Sequence, residues 1–137
     1  MSTDTVSTKP KLVAAEPQLF VGDIQASCAF FARKLGFSIV FTYGEPPYYA
    51  QVRRDGAALN LRHIDGAAID PALRDRKELL SASITVATAG EITQLARDFQ
   101  ETGVSFAQAL SQKPWGALDF IIRDLDGNLL LFAGPAE

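Results

Sequence analysis

The sequence predicts an α+β protein in which a βαβββ module occurs twice in tandem. Two observations predict the repeat. Gly36 and Gly103 each follow a helical apolar stripe and precede an apolar run, and they are 67 residues apart. The dipeptide Asp-Gly occurs at 55–56 and again at 126–127, 71 residues later, each time between two apolar runs. Loops absorb the small difference between these spacings at little entropic cost.

The first module begins with "EPQLFVG", which predicts a strand starting near Glu16. Asp23 is the predicted N-cap of a helix, because its carboxylate can accept from the first free backbone N–H groups. The apolar stripe of this helix consists of Ile24, Cys28, Phe31 and Leu35. Gly36 ends the helix, since glycine adopts a left-handed conformation easily. "FSIVFTY", "YYAQVRR" and "AALNLRH" then predict three strands, with a break at "GEPP" and a turn at 55–56.

The second module repeats this order. "SASITVAT" predicts a strand, and "VSFAQAL", "ALDFIIRD" and "NLLLFA" predict three more, with a break at "SQKP". The helical stripe between them consists of Ile92, Leu95, Ala96 and Phe99. We therefore divide the chain into a flexible N-terminal tail (1–15), a first module (16–64), a connection (65–80) and a second module (81–134). Both modules belong to one structural domain.

Composition narrows the function classes. The formal net charge of −3 gives no electrostatic reason to expect a nucleic acid partner. No apolar run reaches 18 residues, so we expect no membrane span. The start of the chain lacks the apolar segment of a secretory signal, and we expect a cytoplasmic protein. The single cysteine, Cys28, cannot form an internal disulfide, and its place on the helical stripe predicts a packing role.

Two motifs resemble the vicinal oxygen chelate superfamily, which includes glyoxalase I, extradiol dioxygenases and the bleomycin-resistance proteins. "PQLFVGDIQASCAFFARKLGF" at 17–37 is similar to the family's first strand, capping aspartate and helix end, with Phe30-Phe31 where Phe-Tyr is usual. "WGALDFIIRDLDGNLLLF" at 115–132 is similar to the closing "DPDGN…F" signature, with Leu125 in place of proline. The resemblance spans residues 16–134 and points to the bleomycin-resistance-like branch.

The resemblance implies that each sheet curls into a cup with its helix on the convex side, and that paired modules enclose a cavity, often across a homodimer. Tyr and Trp side chains near the strand breaks can stack a planar ligand. Covering a sheet edge or a dimer seam is the alternative role for them. Strand alternation and the breaks select these ligand-binding candidates: Gln18, Phe20, Tyr43, Tyr48, Tyr49, Asn60, Arg62, Trp115 and Asp119.

The resemblance also implies four metal-ligand positions, on the first and last strand of each module. Carried over, they fall on Glu16, Asn60, Ser81 and Leu131. A catalytic zinc site takes about three protein ligands, and leucine is no ligand at all. We therefore expect neither a metal cofactor nor catalytic residues, and keep Glu16 and His63 as weak metal candidates. His63, the single histidine, lies near a strand end and out of step with Asn60, which favours an exposed or partly packed side chain at a loop entrance.

Three functions are compatible with this pattern. The first is a metal-free homodimer that sequesters an aromatic or cationic compound, as antibiotic-resistance proteins of this family do. The second is a divalent-metal-dependent enzyme of the glyoxalase or dioxygenase type, in which Glu16, Gln18, His63 and water or substrate complete the ligand shell of one ion. The third is an interaction module with a vestigial cavity. The partners we expect are a small molecule and a second copy of the chain, and neither nucleic acid nor membrane.

Overall fold

The computed structural model describes residues 9–137, and the first eight residues of the predicted tail lie outside the described residues. The flexibility of the tail and the division into 16–64, 65–80 and 81–134 stay predictions. The first half of the chain forms β1 (Gln18–Val21), α1 (Ile24–Leu35), β2 (Ser38–Tyr43), β3 (Tyr49–Arg54) and β4 (Ala57–His63). After α2 (Pro71–Lys77), the second half forms β5 (Leu80–Thr85), α3 (Ala89–Glu101), β6 (Ser105–Gln112), β7 (Ala117–Arg123) and β8 (Leu129–Pro135).

The strands form two four-stranded mixed sheets of identical topology. The order is β1-β4-β3-β2 in the first sheet and β5-β8-β7-β6 in the second. In each sheet the outer strand that opens the module pairs parallel to the last strand, and the other pairs are antiparallel. The prediction of an α+β protein with two βαβββ modules is confirmed.

α1 begins and ends where its capping residues predict, and α3 has a cap that the sequence analysis did not name. The Asp23 carboxylate accepts from the backbone N–H of Ala26 at 3.0 Å, and Gly36 follows α1 with a φ of 76°. α3 is capped by Thr88, whose hydroxyl accepts from the N–H of Glu91 at 3.1 Å. Every residue of the two predicted apolar stripes is buried, so each helix covers one face of its sheet.

A single apolar core runs through both modules. In the second half of the chain, the Phe99 ring contacts the rings of Phe120 and Phe132, with centroids 5.9 and 5.3 Å away. In the first half, Cys28 is 3% exposed, and burial raises the pKa of its thiol. The predicted packing role of Cys28 is therefore confirmed, because a buried thiol with a raised pKa is a poor nucleophile.

The helix α2 within the connection was not predicted. Asp70 accepts from the N–H of Ala72 at 3.0 Å, and Pro71 occupies the first turn, where its missing N–H does no harm. Arg74 of this helix donates to the backbone carbonyl of Asp126 at 2.9 Å. This hydrogen bond attaches the connection to the hairpin between β7 and β8.

Several strand limits differ from the sequence expectation: β5 ends at Thr85 instead of residue 88, β8 continues to Pro135, and the start of β1 and the end of β6 also shift by two residues. β1 begins at Gln18, two positions after Glu16. β6 continues to Gln112, through part of the predicted break, because irregularities in its pairing with β7 let the ladder resume at Ser111 and Gln112. Among the described residues, no helix has the length and apolar character needed to cross a membrane.

Candidate functional site

One face of the first sheet is left uncovered and carries most of the predicted ligand-binding residues. In β1, Leu19 and Val21 are each 1% exposed, whereas Gln18 and Phe20 are exposed, which confirms the predicted alternation. Directly paired residues of a ladder point to the same side of the sheet. The register of β2, β3 and β4 therefore identifies the residues that share a face with Gln18 and Phe20. We call the following set the open face: Gln18, Phe20, Phe41, Tyr43, Tyr49, Gln51, Asn60 and Arg62.

Aromatic rings form one end of the open face. Phe41 and Tyr49 lie with ring centroids 5.8 Å apart, and Tyr43 meets Tyr48 edge-on at 5.6 Å. Phe20, Phe41, Tyr43 and Tyr48 are each between 39% and 63% exposed. Arg62 is paired with Phe20 and Tyr49 through the strand ladders, and its guanidinium makes no hydrogen bond or ion pair with any described residue. This end therefore offers flat apolar surface beside a free guanidinium.

An amide network forms the other end. The Nε2 group of Gln51 donates to Oδ1 of Asn60 at 2.9 Å and to Oε1 of Glu16 at 3.2 Å. Three oxygen- or nitrogen-bearing side chains thus converge at the position where the family resemblance implies a metal. Gln51 was missed by the sequence analysis, although strand alternation in "YAQVRR" places it on the same face as Tyr49.

The corresponding positions in the second sheet are apolar. Gln18, Asn60 and Gln51 lie side by side across the first sheet, whereas Ser83, Leu131 and Ile121 lie side by side across the second. In each module, the residue of the first strand that pairs with the last-strand position lies two residues after the one that the family resemblance implied. Gln18, not Glu16, pairs with Asn60, and Ser83, not Ser81, pairs with Leu131.

These residues do not fit a metal ion. Neither Leu131 nor the Ile121 beside it has a donor atom, and the Asn60 carbonyl oxygen already accepts from Gln51. No group of three or more His, Cys, Asp or Glu side chains with metal-site spacing occurs within residues 9–137. His63 lies away from the network, where its Nε2 is 3.3 Å from a carboxylate oxygen of the exposed Asp65. The second sheet therefore contributes none of the ligands that a shared site needs.

Asp119 is buried, at 4% exposure, and belongs to a separate cluster on the second sheet. Its carboxylate accepts from Nε2 of Gln108 at 2.8 Å and lies 3.6 Å from Nζ of Lys113. A buried charge is costly without a partner, and here the partner is a lysine of the same module, which sequence spacing did not reveal.

Trp115 lies in the turn between β6 and β7 and is 75% exposed. The turn is closed by the Gly116 N–H, which donates to the carbonyl of Lys113 at 3.0 Å. The structure does not bring Trp115 onto the open face of the first sheet. Tyr48, in the matching place of the first module, packs on Tyr43 instead.

Asn128 joins the two modules behind the open face. Its Nδ2 donates to the Phe20 carbonyl at 3.0 Å and to Oδ2 of Asp124 at 2.8 Å. Burial raises the pKa of Asp124, against the lowering effect of its hydrogen bonds from Asn128 and Asp126. These hydrogen bonds of Asn128 fix the end of β1 and thereby the position of Phe20.

A family model described as the glyoxalase/bleomycin resistance protein/dioxygenase superfamily matches residues 12–132. The comparison with curated proteins finds no match.

Three solved structures illustrate the likeness. The bleomycin-binding protein from bleomycin-producing Streptomyces verticillus, complexed with copper(II)-bleomycin, is 22% identical, with 90% of this chain and 97% of that chain covered and a TM-score of 0.68. Lactoylglutathione lyase from Agrobacterium tumefaciens is 17% identical, with 92% and 96% covered and a TM-score of 0.70. TioX from Micromonospora sp. ML1 is 18% identical, with 89% and 99% covered and a TM-score of 0.65. At these identities the likeness shows the fold alone.

Proposed function

The chain belongs to the glyoxalase/bleomycin resistance protein/dioxygenase superfamily, and from this membership we propose that it is a metal-free protein that binds and sequesters an aromatic small molecule. One observation carries the proposal. Phe20, Phe41, Tyr43 and Tyr48 are large apolar side chains on or beside one sheet face, and all are exposed. Solvent-exposed aromatic clusters of this kind mark binding surfaces.

Ring stacking is the interaction that this face offers. Offset or edge-on aromatic contacts contribute about 0.5–1.5 kcal/mol each beyond the burial of area. The Phe41–Tyr49 and Tyr43–Tyr48 pairs already hold their rings in place, so a ligand meets a preformed surface. Two such contacts alone would tighten binding by roughly a factor of 5 to 150.

A second copy of the chain is the proposed second wall of the site. A small-molecule site buries about 70–90% of its ligand, and one open sheet face cannot do that. Edge strand β2 is exposed along its whole length, and Ile39, Val40 and Phe41 put apolar side chains on both of its faces. An apolar exposed edge is a liability unless another chain covers it. We therefore propose a homodimer in which each open face is covered by the partner.

The charged residues of the open face do not select the charge of the ligand. The open face has a free guanidinium at Arg62, and Glu16 at the opposite end accepts from a neutral amide. A cationic ligand would be held by Glu16 and an anionic one by Arg62. Variants Glu16→Gln and Arg62→Gln therefore report the charge of any ligand that binds.

Bleomycin is the first probe, because two of the similar structures are named as complexes with it. Trp115 is the single tryptophan and provides the fluorescence signal, while calorimetry follows the variants that lack it. We expect saturable binding that Tyr49→Ala and Phe20→Ala each weaken at least several-fold. Trp115 lies outside the open face of its own chain, so its variant tests the proposed dimer: if the partner presents Trp115 to the site, Trp115→Ala weakens binding several-fold with the fold intact. The matched control is Leu125→Ala, an exposed side chain outside the open face.

If bleomycin does not bind, other aromatic compounds are tested next. The proposal itself is lost if a ligand that does bind is insensitive to both Tyr49→Ala and Phe20→Ala. The dimer is tested separately by sedimentation. Phe41→Glu should shift the chain towards monomer, whereas Leu125→Glu should not.

A second candidate function is a divalent-metal-dependent enzyme of the glyoxalase or dioxygenase type. The observation on its side is that two side-chain oxygens, Glu16 Oε1 and Asn60 Oδ1, lie close together on the first sheet, where both accept from Gln51; the second sheet adds no ligand to them. Elemental analysis of protein purified without chelator or tag metal separates the two functions. About one divalent ion per chain, removable with loss of stability, would favour the enzyme over the binder.

A further inference from the structure

The two modules meet at two junctions that the internal repeat makes equivalent. At each junction the hairpin between the last two strands of one module faces the start of the other module's helix. At one of them, the Gly22 N–H donates to Oδ1 of Asp126 at 2.9 Å, and Asn128 donates to the Phe20 carbonyl. This junction is closed by direct hydrogen bonds.

The other junction is open. The hairpin between β3 and β4 has only Asp55 and Gly56 between its strands, whereas residues 124–128 connect β7 and β8. The shorter hairpin does not reach the segment before α3. A groove of about 680 Å³ remains there, lined by this hairpin, by Val86 and by one side of α3. A Cβ atom at Gly56 would meet nothing within 4 Å.

The groove has an apolar floor. Three partly buried apolar lining residues, Ala57, Ile84 and Val86, form it and pack against the common core. Leu59 pairs with the buried Val52, on the side of the first sheet opposite the open face. The groove is therefore a different place from the proposed ligand site, and its volume falls in the range of 300–1,000 Å³ that is usual for small-molecule sites.

The rim of the groove is acidic. Asp55, Glu91 and Asp98 line it, and none of these carboxylates takes part in an ion pair with another described residue. Glu91 accepts from the hydroxyl of Thr88 at 3.0 Å and Asp98 from the side-chain amide of Gln94 at 2.9 Å, so the hydrogen-bond partner of each carboxylate is a neutral group. The one lining cation, Arg54, donates to the Leu35 carbonyl at 2.8 Å, at the C-terminus of α1.

We propose that this groove is a second binding site, and that it takes a small organic cation with an apolar body. The body lies on the partly buried apolar side chains of the floor, and a quaternary or primary ammonium group lies among the three carboxylates. Charge complementarity selects the cation, because the lining has three negative groups against one guanidinium that is engaged elsewhere. The apolar floor distinguishes such a ligand from a metal ion or a polyamine.

The test uses the full-length protein and benzyltrimethylammonium as the probe, with phenylmethanesulfonate as an anion of similar shape. Amide chemical shifts in a ¹⁵N-labelled sample report both affinity and location. We expect saturable shifts for the cation at Gly56 and Leu95, and none there for the anion. The double variant Asp55→Asn/Asp98→Asn should weaken binding at least fivefold. Asparagine suits residue 55, whose φ is 51°, so this variant should fold.

Two controls keep the result specific. Glu101→Gln removes a carboxylate from the same helix but outside the groove, and should change the affinity less than twofold. Phe20→Ser alters the open face and should also leave the affinity unchanged. The proposal is overturned if the shifts do not saturate, if the anion produces them equally, or if Phe20→Ser abolishes them. An unchanged affinity in the double variant would overturn it as well. None of these outcomes bears on the binding of bleomycin to the open face.

Discussion

Replacing Asn128 by alanine should lower the free energy of unfolding by about 3 kcal/mol, although the change removes only a small side chain. Asn128 is 6% exposed and sits at the closed junction between the modules. Its Nδ2 group donates to a backbone carbonyl of β1 and to a buried carboxylate. Alanine leaves the Phe20 carbonyl and Oδ2 of Asp124 without this donor, while Oδ1 of Asp124 keeps its hydrogen bonds from the backbone N–H groups of residues 126 and 128. An acceptor that loses its partner on burial costs more free energy than an exposed one.

The magnitude follows from the individual contacts. The bond to the Phe20 carbonyl, at 3.0 Å, contributes about 1 kcal/mol as a neutral pair. The bond to Asp124, at 2.8 Å, contributes about 1.5–3 kcal/mol because the acceptor is charged and buried. The two contacts to Oδ1, from Arg74 and Ser81, are both 3.4 Å long and add little.

Urea unfolding followed by circular dichroism measures the loss. The midpoint should fall with an unchanged slope, since the surface exposed on unfolding stays the same. Asn60→Ala is the matched control, because Asn60 is only half-buried and accepts one side-chain hydrogen bond, from Gln51. We expect its cost to stay below about 1 kcal/mol. A cost below 1 kcal/mol for Asn128→Ala, or equal costs for the two variants, would refute the reasoning.

Three further predictions concern single positions. Leu131→Glu should destabilise the protein by about 1–2 kcal/mol, since its neighbours Ile121 and Ser83 offer the new carboxylate no cation. Added Mn²⁺ should not restore the melting temperature of this variant. If it does, a metal ion can bind at this position. Because burial raises the pKa of Asp124, its proton stabilises the folded state below the carboxyl's ordinary pKa, and this stabilisation disappears as the pH rises through the folded-state value. The difference in melting temperature between wild type and Asp124→Asn should therefore shift in favour of the wild type from pH 7 to pH 4, and a pH-independent difference would contradict this. Gly36→Ala should cost about 1–2 kcal/mol in chemical denaturation, because the φ of 76° is unfavourable for alanine, whereas Gly56→Ala, with open space around it, should cost less.

The fold could be predicted because each signal is local. Asp23, Gly36 and the four-residue apolar stripe determine α1 through interactions within a few positions of each other. The same signals recur in the second half of the chain, and the repeat identifies the module. The short helix α2 was missed because seven residues are too few to show an apolar period, although Asp70-Pro71 carries the signal of a helix start.

Part of the candidate site could be predicted, because the alternation that identifies it is also a local signal. Alternation along β1 puts Gln18 and Phe20 on one side, and this needs no knowledge of neighbouring strands. Alternation along β3 likewise puts Gln51 on the side of Tyr49, although the sequence analysis overlooked it. Phe41 joins the open face only through cross-strand register, and an irregularity between Ile39 and Phe41 makes that register invisible in the sequence.

By itself, then, the sequence determined the order of the elements, the two helical stripes and the side of β1 that faces away from α1. These depend on contacts between residues close in the chain, whose energies the local residue types decide. Only the tertiary structure decided that Asp119 pairs with Lys113, that Asn128 holds Phe20, and that one junction between the modules is closed while the other is a groove. Those features depend on distances between atoms brought together by packing, where a three-residue difference in hairpin length moves whole surfaces out of contact.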